Sequence, residues 1–189
     1  MQTPLVFSGQ SGQITPEVLE TLISGLSDEE SLSRIISTWA LGELAREEPV
    51  IIDELIRGLR DENKWVCASS AAVLGELGQS APEVISALIE GLSNPMSWVR
   101  AHSAEALGEL GQANARILSE LISRLQDDAS WVRVNSAAAL IKLGEARADV
   151  ETVLINGLRD NDWSVRGTAA LASGRLSQPS QPIIEALVN

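Results

Sequence analysis

The side chains capable of covalent or metal chemistry are few in this 189-residue sequence, and they stand far apart. His102 is the only histidine and Cys67 the only cysteine, which excludes a zinc site built from several histidines. A repeating fold could bring Ser69 or Cys67 near His102 as nucleophile and base, but no acid partner or oxyanion-hole donor accompanies them. A lone cysteine is more often a small buried apolar residue. We therefore predict no catalytic residue, no metal and no cofactor.

Paired carboxylates and phosphate-binding loops do not indicate catalysis either. Glu76 and Glu109 occupy equivalent positions of an internal repeat, yet on an open surface both would remain ionised and hydrated, which is unsuited to general acid catalysis. The sequence has no G-x-x-x-x-G-K-[ST] segment and no glycine-rich loop leading from a strand into a helix. The chemistry thus favours a protein that binds a partner over an enzyme.

The overall charge narrows the class of partner. The chain carries 26 acidic against 14 basic residues, a formal net charge of −12, which argues against broad binding to nucleic acid or to anionic membranes. No apolar run approaches the length of a membrane-spanning helix, and the first ten residues lack the basic start of a signal peptide. Together with the single cysteine, these features predict a soluble cytoplasmic protein whose partner is a protein or a peptide.

An internal repeat of 33 residues must position these side chains. A Gly-Leu or Arg-Leu pair marks it without drift, at residues 25–26, 58–59, 91–92, 124–125 and 157–158. The first half of each unit has apolar residues at i, i+4, i+5 and i+8, the stripe of an amphipathic helix. The second half follows a polar turn and carries its own buried column, Leu41, Leu74, Leu107, Leu140 and Ser173. Two short helices cannot bury their apolar faces alone, so the units must stack.

Prolines and glycines mark the helix ends. Prolines suit the first helical turn at Pro16, Pro49 and Pro82, and glycines suit the C-terminal cap at Gly78, Gly111 and Gly144. We predict a single domain over residues 15–189, preceded by an N-terminal leader or cap at residues 1–14. Its repeats are expected at about 15–47, 48–80, 81–113, 114–146 and 147–179, with a partial sixth at 180–189.

The second halves resemble a known family. Trp98-Val99-Arg100 followed by residues 104–108, and Trp131-Val132-Arg133 followed by residues 137–140, are similar to HEAT repeats, in particular those of phycobilin lyase-like proteins. The 33-residue length, with the segment 81–85 and a following Ser-Trp-Val-Arg, also resembles the HEAT arrays attached to bacterial NACHT-type proteins. The resemblance implies an all-α fold, a right-handed α-solenoid (superhelix) of five HEAT-type helical hairpins plus a partial sixth.

The resemblance also implies a ladder of ion pairs along the solenoid. An aspartate in the turn of each repeat and an arginine near the start of the second helix would form it, at Asp28, Asp61, Asp127 and Asp160 and at Arg34, Arg100, Arg133 and Arg166. Cys67 stands where an arginine is expected, and Asn94 stands where an aspartate is expected. The ladder should therefore be weakened around the second and third repeats.

Two sets of side chains are candidates for partner contacts. In HEAT-type solenoids the second helices usually line the concave side, so the variable strip at i, i+3 and i+7 of these helices is the candidate groove. Its predicted contact residues are Ile36, Trp39, Glu43, Ser69, Ala72, Glu76, His102, Glu105, Glu109, Asn135, Lys142 and Arg175. Its last column is acidic over three repeats and basic over the final two, which would suit a bipolar partner. An ordinary solvated face is the alternative.

The second set is a row of indoles at Trp65, Trp98, Trp131 and Trp163. The row could bind an extended peptide, but we favour a structural reading in which each ring packs over the turn of its neighbour and closes the edge of the core.

The sequence therefore predicts a non-catalytic scaffold that binds a protein or peptide along its concave second-helix face, either alone or as the sensor or scaffold part of a larger signalling protein. Two alternatives stay open. The resemblance implies a subunit of a phycobilin chromophore lyase, and the drift-free period suggests an engineered repeat scaffold. Residues 183–188 begin a sixth first helix without a partner helix, which predicts neighbouring domains or self-association at this end.

Overall fold

The computed structural model describes residues 15–46, 50–77 and 82–188, and in these segments it contains α-helices joined by turns. The predicted leader at residues 1–14 lies outside the described residues, as do Pro49 and Gly78. In chain order the helices are α1 (Pro16–Gly25), α2 (Ser31–Ala45), α3 (Val50–Gly58), α4 (Lys64–Glu76), α5 (Pro82–Gly91), α6 (Ser97–Glu109), α7 (Ala115–Arg124), α8 (Ser130–Lys142), α9 (Ala148–Leu158), α10 (Trp163–Ser173) and α11 (Gln181–Val188).

The helices of the described residues form five hairpins and the first helix of a sixth. In each hairpin an odd-numbered first helix packs against the even-numbered second helix that follows it, and the second helices stack on one another in chain order. Helix α11 continues the array by packing on α9. This arrangement confirms the predicted all-α solenoid.

The repeated apolar columns form the core. The second-helix column is buried at every repeat, with Leu41, Leu74, Leu107, Leu140 and Ser173. The first helices contribute Leu55, Leu88, Leu121 and Leu154 from one equivalent column. Each of these leucines contributes roughly 1.5–3 kcal/mol on leaving water. The columns run along the stack, so one hydrophobic core extends through all five hairpins.

Helix ends follow the sequence signals wherever the structure describes them. Pro16 and Pro82 begin α1 and α5, where a missing backbone N–H costs nothing. Gly111 and Gly144 follow the second helices with φ of 68° and 86°, a left-handed conformation that glycine adopts without a Cβ clash. These caps confirm the predicted ends of α6 and α8.

The second helices approach each other more closely than the first helices do. A Cβ atom on Gly108 of α6 would lie 2.8 Å from Cα of Ala139 in α8, and one on Gly75 of α4 would lie 3.3 Å from Cα of Ala106. First helices of neighbouring repeats make only sparse contacts by comparison. Closer spacing on one side bends a stack toward that side, so the second helices line the concave face.

The turns between paired helices share one hydrogen-bonding scheme. In all five repeats a side-chain Oδ1 accepts a hydrogen bond from the backbone N–H two residues later, at Asp28, Asp61, Asn94, Asp127 and Asp160. The expected arginines donate from Nη1 to the two backbone carbonyls five and six residues earlier, as seen for Arg34, Arg100, Arg133 and Arg166. These arginine bonds therefore hold the turn within each of the four repeats that contain the arginine.

The predicted ladder between repeats needs correction. Among the described residues, Arg100 is the one ladder arginine that reaches an aspartate of the next repeat, with 2.9 and 2.7 Å bonds to Asp127. Asn94 does not weaken its own turn, because an amide oxygen accepts the turn hydrogen bond as well as a carboxylate does. Arg34 instead stacks on the Trp65 ring of the next repeat, with its guanidinium carbon 4.3 Å from the ring centroid.

Candidate binding groove

A depression of about 210 Å³ opens on the concave face across the last three hairpins. Helix α6 contributes two carboxylates to its lining, helix α8 its central stripe, and helix α10 an apolar side chain. The turn that follows α10 contributes a basic side chain. The lining residues are Glu105, Glu109, Trp131, Asn135, Ala138, Ala139, Lys142, Thr168, Leu171, Ala172 and Arg175. Five of the twelve predicted contact residues are thus brought together in one groove: Glu105, Glu109, Asn135, Lys142 and Arg175.

Helix α8 supplies the floor of this groove. Trp131, Asn135, Ala138 and Lys142 follow one another at spacings of three or four residues, which places them on one helix face. The indole of Trp131 is partly buried against the core, and Asn135 donates a 2.9 Å hydrogen bond from Nδ2 to the Trp131 carbonyl. Tight packing of α8 between α6 and α10 fixes this stripe.

The charges of the groove are partly neutralised between repeats. Lys142 of α8 pairs through Nζ with Glu109 of α6, although sequence position alone assigned Lys142 to a basic half of the surface. Glu105 accepts a hydrogen bond from His102 at 3.3 Å, and this bond, against the opposing effect of burial, lowers the pKa of Glu105. Arg175 is exposed at the other side, and the structure shows no carboxylate within 4.0 Å of it among the described residues.

The N-terminal part of the predicted strip is much shallower. Trp39, Glu43 and Glu76 line a second depression of about 30 Å³, where Arg46 pairs with Glu43 at 3.1 Å. Ile36 is exposed beyond it. The remaining predicted residues, Ser69, Ala72 and His102, line neither depression.

Sequence reasoning missed part of the groove and misplaced one feature. Trp131 was assigned to a separate row of indoles, yet it lies on the same face as Asn135 and lines the groove. The four-residue spacing between Trp131 and Asn135 could have revealed this. The structural reading of the indole row is wrong for Trp163, which is 77% exposed and closes no core edge. Leu171, 75% exposed, is the most exposed apolar side chain of the groove.

Cys67 is fully buried at the start of α4. Burial, and secondarily the charge of Asp61, raises the pKa of its thiol to about 12. The thiol is therefore neutral at physiological pH, and it is not positioned as a nucleophile. Within the part of the chain that the structure describes, no three His, Cys, Asp or Glu side chains converge on a metal-sized site. None of the described helices has the length and apolar character needed to cross a bilayer.

Stacked helical hairpins with a groove on the second-helix face define an α-solenoid repeat protein. A family model of HEAT repeats matches residues 52–141 and 118–189, together well over half of the chain. The chain therefore belongs to the HEAT-repeat family. No curated protein sequence matches the chain.

Solved structures support the same fold. YibA of Escherichia coli aligns with a TM-score of 0.63 and 23% identity over 95% of this chain and 70% of that one. A chain from the complex of CpcE and CpcF of phycocyanin lyase from Nostoc sp. PCC7120 aligns with a TM-score of 0.58 and 22% identity, covering 82% of this chain and 98% of that one. At these identities the likeness shows the fold alone.

Proposed function

We propose that this HEAT-repeat chain is a non-catalytic cytoplasmic scaffold that binds a protein or peptide along its concave second-helix face, alone or as the sensor or scaffold part of a larger signalling protein. One observation carries the proposal. Three successive second helices contribute to a single groove whose wall combines the exposed Leu171 with opposed charges at Glu105 and Arg175. Such a surface offers apolar contact and charge complementarity, the two properties that anchor a macromolecular partner.

The packing of the second helices also suits a binding role. A rigid surface loses little conformational entropy when a partner docks, and α8 is held on both sides by α6 and α10. The variable side chains project from this rigid base, while the leucine columns beneath them stay constant. Recognition can therefore change from repeat to repeat without disturbing the core.

Site-specific photo-crosslinking tests the proposal. A benzoylphenylalanine at Leu171, in the groove, is compared in source-cell lysate with the same residue at Asn156, which is exposed on the first helix of the same repeat. We expect a discrete crosslinked protein from position 171 and none from position 156. Equal crosslinking from both positions, or crosslinking from position 156 alone, would place the binding surface elsewhere.

The chromophore-lyase alternative has one supporting observation, the nearly complete overlap with a chain of the phycocyanin lyase complex. Incubation with a bilin and an apo-phycobiliprotein decides it. Covalent attachment would appear as a new visible absorbance band that stays with the protein after denaturation. Failure of that band to form, alone and with a candidate partner subunit, would remove this alternative.

A further inference from the structure

The floor of the groove contains a polar atom that the described protein does not satisfy. Asn135 is only 4% exposed, and its Nδ2 donates to the Trp131 carbonyl at 2.9 Å. Because a carbonyl can only accept, this bond fixes the amide orientation and turns Oδ1 away from Trp131. Among the described residues Oδ1 accepts no hydrogen bond, and Asn135 lines the groove. Oδ1 is not fully buried, so solvent reaches it from the groove, and an N–H from a bound ligand can replace that water as its donor.

Charges flank this acceptor on two sides. The carboxylates of Glu105 and Glu109 belong to the third repeat, and the exposed guanidinium of Arg175 belongs to the fifth. Lys142 lies between them and pairs with Glu109, so these two charges compensate each other, and Glu105, bonded to His102, is the remaining carboxylate of the groove. The groove therefore has an acidic end and a basic end, with an apolar stretch at Trp131, Ala138 and Leu171.

We propose, on the basis of the scaffold function above, that this groove binds a linear peptide segment with a basic side chain at one end and an acidic side chain at the other. The basic side chain lies against Glu105 and the acidic one against Arg175. An apolar side chain between them packs on Leu171 and Trp131, and a backbone N–H of the segment donates to Oδ1 of Asn135.

The repeat geometry sets the spacing of the two charges. Neighbouring packed helices lie about 8–10 Å apart, so two steps from the third to the fifth repeat span roughly 16–20 Å. An extended peptide advances about 3.3 Å per residue, so the basic and the acidic residue lie about five or six positions apart in the sequence of the peptide. A pair spaced by two positions spans only about 7 Å of backbone, so its side chains must extend fully to reach both ends of the groove.

Fluorescein-labelled synthetic peptides test this inference. Each carries a lysine and a glutamate that lie two, five or six positions apart, with a phenylalanine between them in a Gly/Ser background. Binding is measured by fluorescence anisotropy. We expect the peptides with five- or six-residue spacing to bind at least about tenfold more tightly than the two-residue peptide. Equal affinity at all spacings, or no binding by any peptide, would overturn the inference.

Matched variants assign the contacts. Arg175→Glu should weaken binding of the tightest peptide by about tenfold, and it should make lysine preferred over glutamate at the acidic end of the peptide. Arg159→Glu, an equal charge change on the exposed turn after α9, should change neither the affinity nor this preference. Asn135→Ser introduces the residue that repeat two has in this column, Ser69, and should preserve folding. It should weaken peptide binding about fivefold or more. When the peptide amide that donates to Asn135 is N-methylated, wild type and Asn135→Ser should bind the peptide equally.

The two proposals fail in different ways. If Arg175→Glu leaves the charge preference unchanged while position 171 still crosslinks a partner, the scaffold function stands and the peptide chemistry is wrong. If position 171 crosslinks nothing and no peptide binds, both are wrong. Circular dichroism of each variant ensures that a lost signal reflects contacts and not unfolding.

Discussion

The arginine near the start of each second helix holds the preceding turn in every repeat that contains one. Its Nη1 bonds to two turn carbonyls in Arg34, Arg100, Arg133 and Arg166 alike. Arg100 does more, because it also contacts Asp127 and Asp128 of the next repeat. The side chain of Asp127 is only 3% exposed, so Arg100 compensates a charge that is otherwise removed from water.

Arg100→Ala should therefore destabilise the protein by about 1.5–3 kcal/mol, because it removes two hydrogen bonds to the buried Asp127 carboxylate and leaves Arg124, 3.7 Å away, as its remaining basic partner. Arg166→Ala removes the same carbonyl bonds at an exposed site and should cost less than about 1 kcal/mol. Urea unfolding followed by circular dichroism measures both. Equal losses of unfolding free energy for the two variants would mean that the bonds to the turn carbonyls, and not the contact between repeats, provide the stability.

The Asp127 contact also gives a pH dependence with a defined sign. Burial acts to raise the pKa of Asp127, but hydrogen bonds from Arg100 and from the Ala129 N–H outweigh it and lower the pKa. A lowered folded-state pKa contributes stability above the unfolded value of about 3.9, and that stability is lost as the pH falls through the folded value. The difference between wild type and Arg100→Ala should thus shrink between pH 5 and pH 3. A difference that grows on acidification would contradict this assignment.

Cys67 should be nearly inert in the folded protein. Its thiol pKa of about 12, against an ordinary value of 9.0, reduces the thiolate fraction near pH 8 by about a thousandfold, and burial blocks access as well. Because only the thiolate reacts, alkylation by iodoacetamide at pH 8 should be at least about a hundredfold slower in buffer than in about 6 M urea. A Cys67→Ser, Ser93→Cys variant, with its thiol on an exposed turn, should react at similar rates in both. Fast labelling of native Cys67 would show that α4 opens readily.

At the scale of helices, glycines set how closely the second helices pack. The backbone of α6 meets α8 at Gly108, where a Cβ would lie 2.8 Å from Cα and 2.9 Å from Cβ of Ala139. Gly167 in α10 has no heavy atom within 4 Å of its Cβ position. The two glycines therefore have different roles, one in packing and one without a packing partner among the described residues.

Gly108→Ala should destabilise the array by about 1–3 kcal/mol, because the methyl group forces α6 and α8 apart. Gly167→Ala should instead stabilise it by about 0.5–1 kcal/mol, because alanine restricts the unfolded chain and clashes with nothing. Thermal and urea unfolding of both variants give the comparison. Similar shifts of the same sign would show that the helix spacing is adjustable and that the glycine contact is not required.

At the scale of the whole molecule, the net charge of −12 should keep the protein away from polyanions. Binding of duplex DNA requires released counterions from clustered phosphate contacts, which a strongly acidic surface does not provide. In mobility-shift assays at 50 mM KCl we expect dissociation constants weaker than about 10⁻⁴ M, the weak end of non-specific binding. Tight, salt-sensitive DNA binding would reveal a basic patch that outweighs the net charge.

The repeat pattern is enough to predict the architecture. A 33-residue period with constant leucine columns leaves few ways to bury apolar surface other than stacked helical hairpins, and Leu107 and Leu140 lie where the period places them. The capping glycines Gly111 and Gly144 also followed from local chemistry, because their conformations depend on the residues next to them. These features are short-range or periodic, so they can be read from a single chain.

Which side chains meet across repeats depends on how the helices pack. Lys142 and Glu109 are 33 residues apart, and whether their charges add to a surface or cancel depends on the distance between α6 and α8. The same distance places Trp131 in the groove and leaves Oδ1 of Asn135 without a donor among the described residues. Column positions in the sequence give the order of the repeats but not their separation. That separation is set by glycine contacts such as Gly108 with Ala139, where small residues let two backbones touch.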